Sequence, residues 1–194
     1  MTRPLFHLLA LFSALALLPG CLIVDTKQYH ITLRTGGTGE ARIVFNDIQS
    51  ETDDTVDVSK VDFNQLIDLY LHGSQFERDN PGYRNVEKHL FEKDGKLNGE
   101  VRFEFDSLAV MRLFRYDDGG PIMYFVGSPL SSEIMIETNG TYGRDWMPIV
   151  FWPKGTTELH IKTRVVSQGS YHKSLLALFK AWEQSPQARE RDNR

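Results

Sequence analysis

The side chains able to do chemistry are few and widely spaced. The chain has one cysteine, Cys21, and beyond it five histidines, His30, His72, His89, His160 and His172. Zinc needs three or four ligands at short, fixed spacings, and no His-Glu-x-x-His or other close histidine pair occurs here. A lone thiol excludes both an internal disulfide and a multi-cysteine metal site. No Gly-x-Ser-x-Gly turn presents a nucleophilic serine. Glu51, Asp53, Asp54 and Asp57 crowd one acidic stretch but lack the central glycine and distal glutamate of a calcium loop, so a solvated loop is expected. Glu100 and Glu104 fall on one face of an alternating segment and read as solvated rather than as a glycosidase pair. Gly36-Gly37-Thr38-Gly39 is followed by alternation rather than by lysine and a helix, which points to a hairpin turn and not a phosphate cradle. These patterns predict no catalytic residue, no metal and no cofactor, and a non-enzymatic protein is expected.

One aromatic concentration stands out, GRDWMPIVFWP at residues 143–153. Trp146, Phe151 and Trp152 are the candidates for a ligand or partner patch, because large aromatics are enriched at such surfaces. Core-and-turn packing is the plainer expectation for them.

The elements that must position these residues follow from periodicity. Tyr29, Ile31 and Leu33 alternate with polar residues, as do Ala41, Ile43 and Phe45. Leu97, Val101, Phe103 and Phe105 share one face with Gly99, opposite Asn98, Glu100, Arg102, Glu104 and Asp106. Asp94-Gly95 and the DDGGP stretch mark further hairpin turns, and strands are expected at 133–138, 148–152 and 158–166. Between them, Phe63, Leu66, Ile67, Tyr70 and Leu71 recur at helical spacing, with Ser59 and Asp62 placed for a capping box and Gly73 as a stop. Leu175, Leu176, Leu178, Phe179 and Trp182 predict a C-terminal helix packed back on the sheet. Strands joined by short turns pair antiparallel. The expected class is therefore α+β: a mostly antiparallel sheet built from hairpins, carrying one mid-chain helix and one C-terminal helix, with a β-sandwich or open barrel as the runner-up.

Composition sets the remaining bounds. At 194 residues, 41% apolar and 25% charged, the chain is long enough for one domain with a core. Its net charge of −4 is spread among mixed acids and bases, with no basic stripe for nucleic acid. After residue 21 no apolar run reaches the ~18 residues of a membrane-spanning helix.

The N-terminus is different in kind. Arg3 is followed by an almost wholly apolar Leu5–Leu18, and then by Pro19-Gly20-Cys21. The apolar run has the length of a signal-peptide core rather than of a permanent span. Leu18-Pro19-Gly20-Cys21 resembles the lipobox of bacterial lipoprotein precursors, with leucine three places before the cysteine and small residues usual between; Pro19 departs from the commoner Ala, Ser or Thr. The resemblance covers residues 1–21. It implies that signal peptidase II recognises Leu18, Pro19 and Gly20, that residues 1–20 are cleaved, and that the Cys21 sulfur carries diacylglyceryl chains of the palmitate type. It also implies a site at the periplasmic side of an outer membrane, since Leu22 stands where Asp would favour inner-membrane retention. Two or three acyl chains make such attachment effectively permanent.

The organisation expected is a signal peptide at 1–20, a lipidated N-terminus and short tether at 21–27, one α+β domain at 28–184, and a disordered tail at 185–194. The function expected first is a lipid-anchored envelope protein that binds a protein partner or supports assembly near the membrane. A carrier or sensor of a small apolar or lipid ligand is the alternative, and a hydrolase of envelope polymers ranks last.

Overall fold

In the computed structural model, residues 21–52, 56–126, 133–144, 146–166 and 171–186 are described. Two long strands, β1 (Cys21–Leu33) and β2 (Gly39–Thr52), are joined through a tight turn in which Gly36 and Gly37 both hold positive φ. The glycine cluster therefore turns a hairpin, using backbone angles that side chains disfavour. Helix α1 (Ser59–Gln65) continues as a π-helical segment, Leu66–Leu71, and the short α2 (Gln75–Asp79) follows. β3 (Arg84–Lys93) and β4 (Lys96–Phe105) form the Asp94-Gly95 hairpin.

Then come the small strands β5 (Leu113–Phe114) and β6 (Ile122–Phe125), β7 (Glu133–Thr138), β8 (Thr141–Tyr142), β9 (Ile149–Trp152), β10 (Glu158–Val165) and β11 (Tyr171–Ser174), and last helix α3 (Leu176–Glu183). The large sheet runs β3-β4-β2-β1-β10-β7, with β11 added to the far end of β2. A second sheet runs β5-β6-β9-β8. Every strand pair given a register is antiparallel. The protein is α+β, with a mid-chain and a C-terminal helix on a mostly antiparallel framework.

One face of the large sheet carries two cores. Toward the Leu33 end, Ile31, Ile43, Phe103 and Ile161 pack against Leu113, Ile122, Val150 and Trp152 of the small sheet. Toward the Cys21 end, Ile48, Leu90 and Leu97 pack against Phe63, Leu66 and Ile67 of the α1 segment and Leu175 and Phe179 at α3. The sandwich arrangement thus holds for half of the face, and helices cover the rest.

A kink lets one face serve both halves. Asp47 has φ of 58°, and its N–H donates to Asn98 Oδ1 at 3.1 Å. Before the kink Phe45 lies opposite Gly99. After it Ile48 returns to that same side, close over Gly99. Val24 pairs directly with Ile48, so β1 reverses its alternation in step.

Two expectations change. Residues 21–27, read as a tether, are strand: Cys21, Leu22, Ile23 and Val24 pair with Glu51, Ser50, Gln49 and Ile48. The cause of the misreading is the kink, because Leu22-Ile23-Val24 is continuously apolar and Lys27 points to the covered face, which erases the alternation. The capping box at Ser59 is replaced as well. Val58 occupies the N-cap, and Asp57 Oδ1 accepts from Ser59 N–H at 3.0 Å and from Ser59 Oγ at 2.6 Å. Asp62 instead turns inward, fully buried, and accepts from Ser50 Oγ of β2. The signal peptide and most of the expected tail lie outside the described residues.

Candidate functional site: an apolar cavity between sheet and helices

Between the two cores the packing leaves a cavity of about 350 Å³. Its sheet side is formed by Leu22, Ile23 and Val24 of β1, Phe45 and Ile48 of β2, Leu90 of β3 and Val101 of β4. Its helical side is formed by Leu66, Tyr70, Leu71 and Phe76. Two local features create the space.

The first is Gly99, whose missing side chain lets Ile48 and Leu90 settle onto β4 beside the cavity. A Cβ there would stand 3.1 Å from Ile48 Cδ1 and 3.3 Å from Leu90 Cδ2. Glycine inside a strand marks such close approaches. The second is the π-helical segment, whose i→i+5 bonding is seen in the bond from His72 N–H to Ile67 O at 2.9 Å. The widened turn sets Leu66, Tyr70 and Leu71 together along the wall. π segments are rare and frequently accompany sites.

The two lysines of the wall are paired. Lys88 Nζ donates to Gly73 O at 2.7 Å and to both oxygens of Glu77 at 2.8 and 3.0 Å. Burial pushes the Glu77 carboxyl up, but the Lys88 bond and charge outweigh it, and the net shift is below the usual glutamate range. Lys27 Nζ donates to Glu133 Oε1 at 2.7 Å, and the other Glu133 oxygen accepts from Thr163 at 2.7 Å. On the opposite, open face of β4, Glu100 accepts from Arg42 Nε and from Arg102 Nε, each at 2.6 Å; against an upward push from burial, these bonds hold its carboxyl low. The wall therefore offers hydrocarbon contact with its charges already neutralised in place.

The residues singled out from sequence are distributed otherwise. Trp152 is 1% exposed in the first core, and its indole N–H donates to Asn139 Oδ1 at 2.8 Å. Phe151 shares the outer face of the small sheet with Phe114 and Met123, as their register shows. Trp146 stands 81% exposed in the preceding loop. The three do not converge on one site, and the cavity lies elsewhere. Cys21 contributes the first backbone position of β1, next to the cavity residue Leu22. Leu18, Pro19 and Gly20 lie outside the described residues.

Of the histidines, His30 and His160 stack across β1 and β10, ring centroids 4.5 Å apart, on the open polar face. Burial, then the neighbouring His160 and Arg42, lower the His30 pKa. A polar groove of about 600 Å³ runs beside them, past Arg42, Asn85 and Arg102. Strand-to-strand bridges cross it, among them Arg42 with Glu100 and Arg34 with Glu40 and Glu104. Among the described residues no group of three or more His, Cys, Asp or Glu is arranged to hold a metal ion, and no helix is long and apolar enough to cross a membrane.

The fold is thus an antiparallel sheet with helices flanking a small, open-mouthed apolar pocket. Comparison with protein-family models, with curated proteins and with solved structures gave no match to this chain.

Proposed function

We propose that this protein is a lipid-anchored envelope lipoprotein, attached through Cys21, whose folded domain binds a small apolar ligand as a carrier or sensor without transforming it. The cavity carries this reading. It falls within the size range of ligand pockets and, like them, is lined mostly by aliphatic and aromatic side chains. The two lysines of its wall are held in ion pairs, which supports binding over catalysis. Anchoring rests on the lipobox resemblance at residues 18–21.

The test is titration of the non-acylated mature chain, Cys21→Ser, with pyrene-dodecanoic acid. Saturable binding that Leu71→Trp weakens by about tenfold, equivalent to about 1.4 kcal/mol, supports the reading. Non-saturable uptake, or binding indifferent to that substitution in a folded protein, ends it.

A protein-partner role keeps one specific support. The outer face of the small sheet presents Phe114 and Phe125, at 42% and 44% exposure, beside Met123 and Phe151, and Trp146 stands nearby in sequence. Apolar surface gathered in this way marks interaction sites.

A further inference from the structure

The cavity and the start of β1 occupy one place. Leu22, Ile23 and Val24 form part of the cavity wall, and Cys21, one residue back, is already paired with Glu51 in the sheet. A seven-residue tether would give a reach of roughly 25 Å; with β1 complete to Cys21, that slack is gone. Acyl chains on Cys21 would seat the cavity at the bilayer surface.

Resting on the lipoprotein reading above, we propose that the cavity takes up one acyl chain of a membrane lipid directly from the bilayer in which Cys21 is anchored, leaving the headgroup outside. Charge selects the chain over the headgroup. Lys27 and Lys88 are engaged by Glu133 and Glu77, so an ionised group entering the cavity would have to break a formed pair. A hydrocarbon chain displaces only water from Phe45, Leu71 and Val101, which is favourable in proportion to the apolar area covered.

The outer side of the same wall agrees with this placement. Val61 and Leu69, on the helix that supplies Leu66 and Tyr70, are 54% and 42% exposed. That helix is fastened to the Cys21 end of the sheet by the Ser50–Asp62 bond, Ser50 being the partner of Leu22. Exposed apolar residues on the anchored end are suited to dip into the headgroup–acyl boundary.

The experiment uses the acylated mature protein in phosphatidylcholine vesicles containing a phospholipid with a diazirine in its acyl chain. Illumination is expected to label the cavity residues Leu22–Val24, or Leu66, Tyr70 and Leu71, with the label assigned residue by residue. A flexible spacer of about twenty residues between Cys21 and Leu22, with a root-mean-square span of roughly 25 Å, lifts the cavity from the surface and should cut this labelling about fivefold. Pyrene-dodecanoic acid binding by the non-acylated chain should be unaffected by the same spacer. Labelling confined to Val61 and Leu69, or labelling unchanged by the spacer, overturns direct uptake while leaving ligand binding standing. Failure of the non-acylated chain to bind the pyrene probe would overturn the ligand-binding reading, and the uptake proposal with it.

Discussion

Ile48 Cδ1 lies over Gly99 so closely that a β-carbon on the glycine would stand 3.1 Å away. This contact joins the kinked half of β2 to β4 beside the cavity, and a side chain on Gly99 would have to displace Ile48 and Leu90. Gly99→Leu should drive those two side chains into the cavity and weaken pyrene-dodecanoic acid binding by about tenfold, with Gly99→Ala giving a smaller loss in the same direction. Fluorescence titration reads the affinity, and a thermal melt shows that each variant is folded.

The Lys88–Glu77 pair is the second lever. Removing the amine with Lys88→Met takes away the bond and charge that oppose burial, so the Glu77 pKa should rise from its depressed value. Its present depressed value contributes stability that exists above the unfolded pKa and is lost as pH falls through the folded one. In the variant that contribution disappears. Because Glu77 keeps about a third of its side-chain exposure, the loss at neutral pH should be about 1 kcal/mol, well short of a fully buried pair. Urea unfolding at neutral and acid pH measures it.

How much of this was legible beforehand depends on whether a feature is local. The Asp94-Gly95 turn and the one-sided pattern of Leu97, Val101, Phe103 and Phe105 are written in neighbouring residues, so the β3–β4 hairpin could be read directly. The hidden features are relations across the chain. Lys27 finds Glu133 106 residues away, and the reversal at Asp47 breaks the period-two signal that would have extended β1 back to Cys21. The cavity needed three such relations at once: Gly99 beneath Ile48, the π-helical Leu66–Leu71, and the apolar start of β1. The aromatic cluster drew notice because its residues are adjacent in sequence, but strand alternation sends Phe151 and Trp152 to opposite faces.

Asp62 is fully buried, with one oxygen held by Ser50 and the other without a hydrogen-bond partner among the described residues. Ser50→Ala should therefore cost about 1–3 kcal/mol, the penalty for stranding a buried acceptor. Pairing it with Asp62→Leu should recover part of that loss, because the uncompensated carboxylate goes too. A double-mutant cycle by urea denaturation checks both statements.

Tyr29 and Tyr124 stand in the first core, and burial is the main cause of their raised phenol pKa values, with Tyr124 at about 12. Groups whose folded pKa exceeds the unfolded value of about 10 contribute stability that is full below that value and is lost as pH rises through the folded one. Alkaline titration at 295 nm should show these two phenols ionising together with unfolding. Tyr29→Phe should reduce the number of phenols released in that step by one.

Lys173 of β11 bonds to Asp57, which also caps the start of α1. The lysine bond and the two Ser59 bonds hold the Asp57 carboxyl far below the ordinary aspartate range. Lys173→Ala should raise this pKa toward the usual value, as read by carboxyl-carbon NMR.

The account as a whole is tested most directly by native mass spectrometry of the protein gently released from membranes. It predicts a chain beginning at Cys21, heavier by its covalent acyl groups, and carrying one additional non-covalent lipid that Leu71→Trp removes. An unmodified thiol at Cys21, or a mature protein free of bound lipid under conditions that preserve its fold, would contradict it.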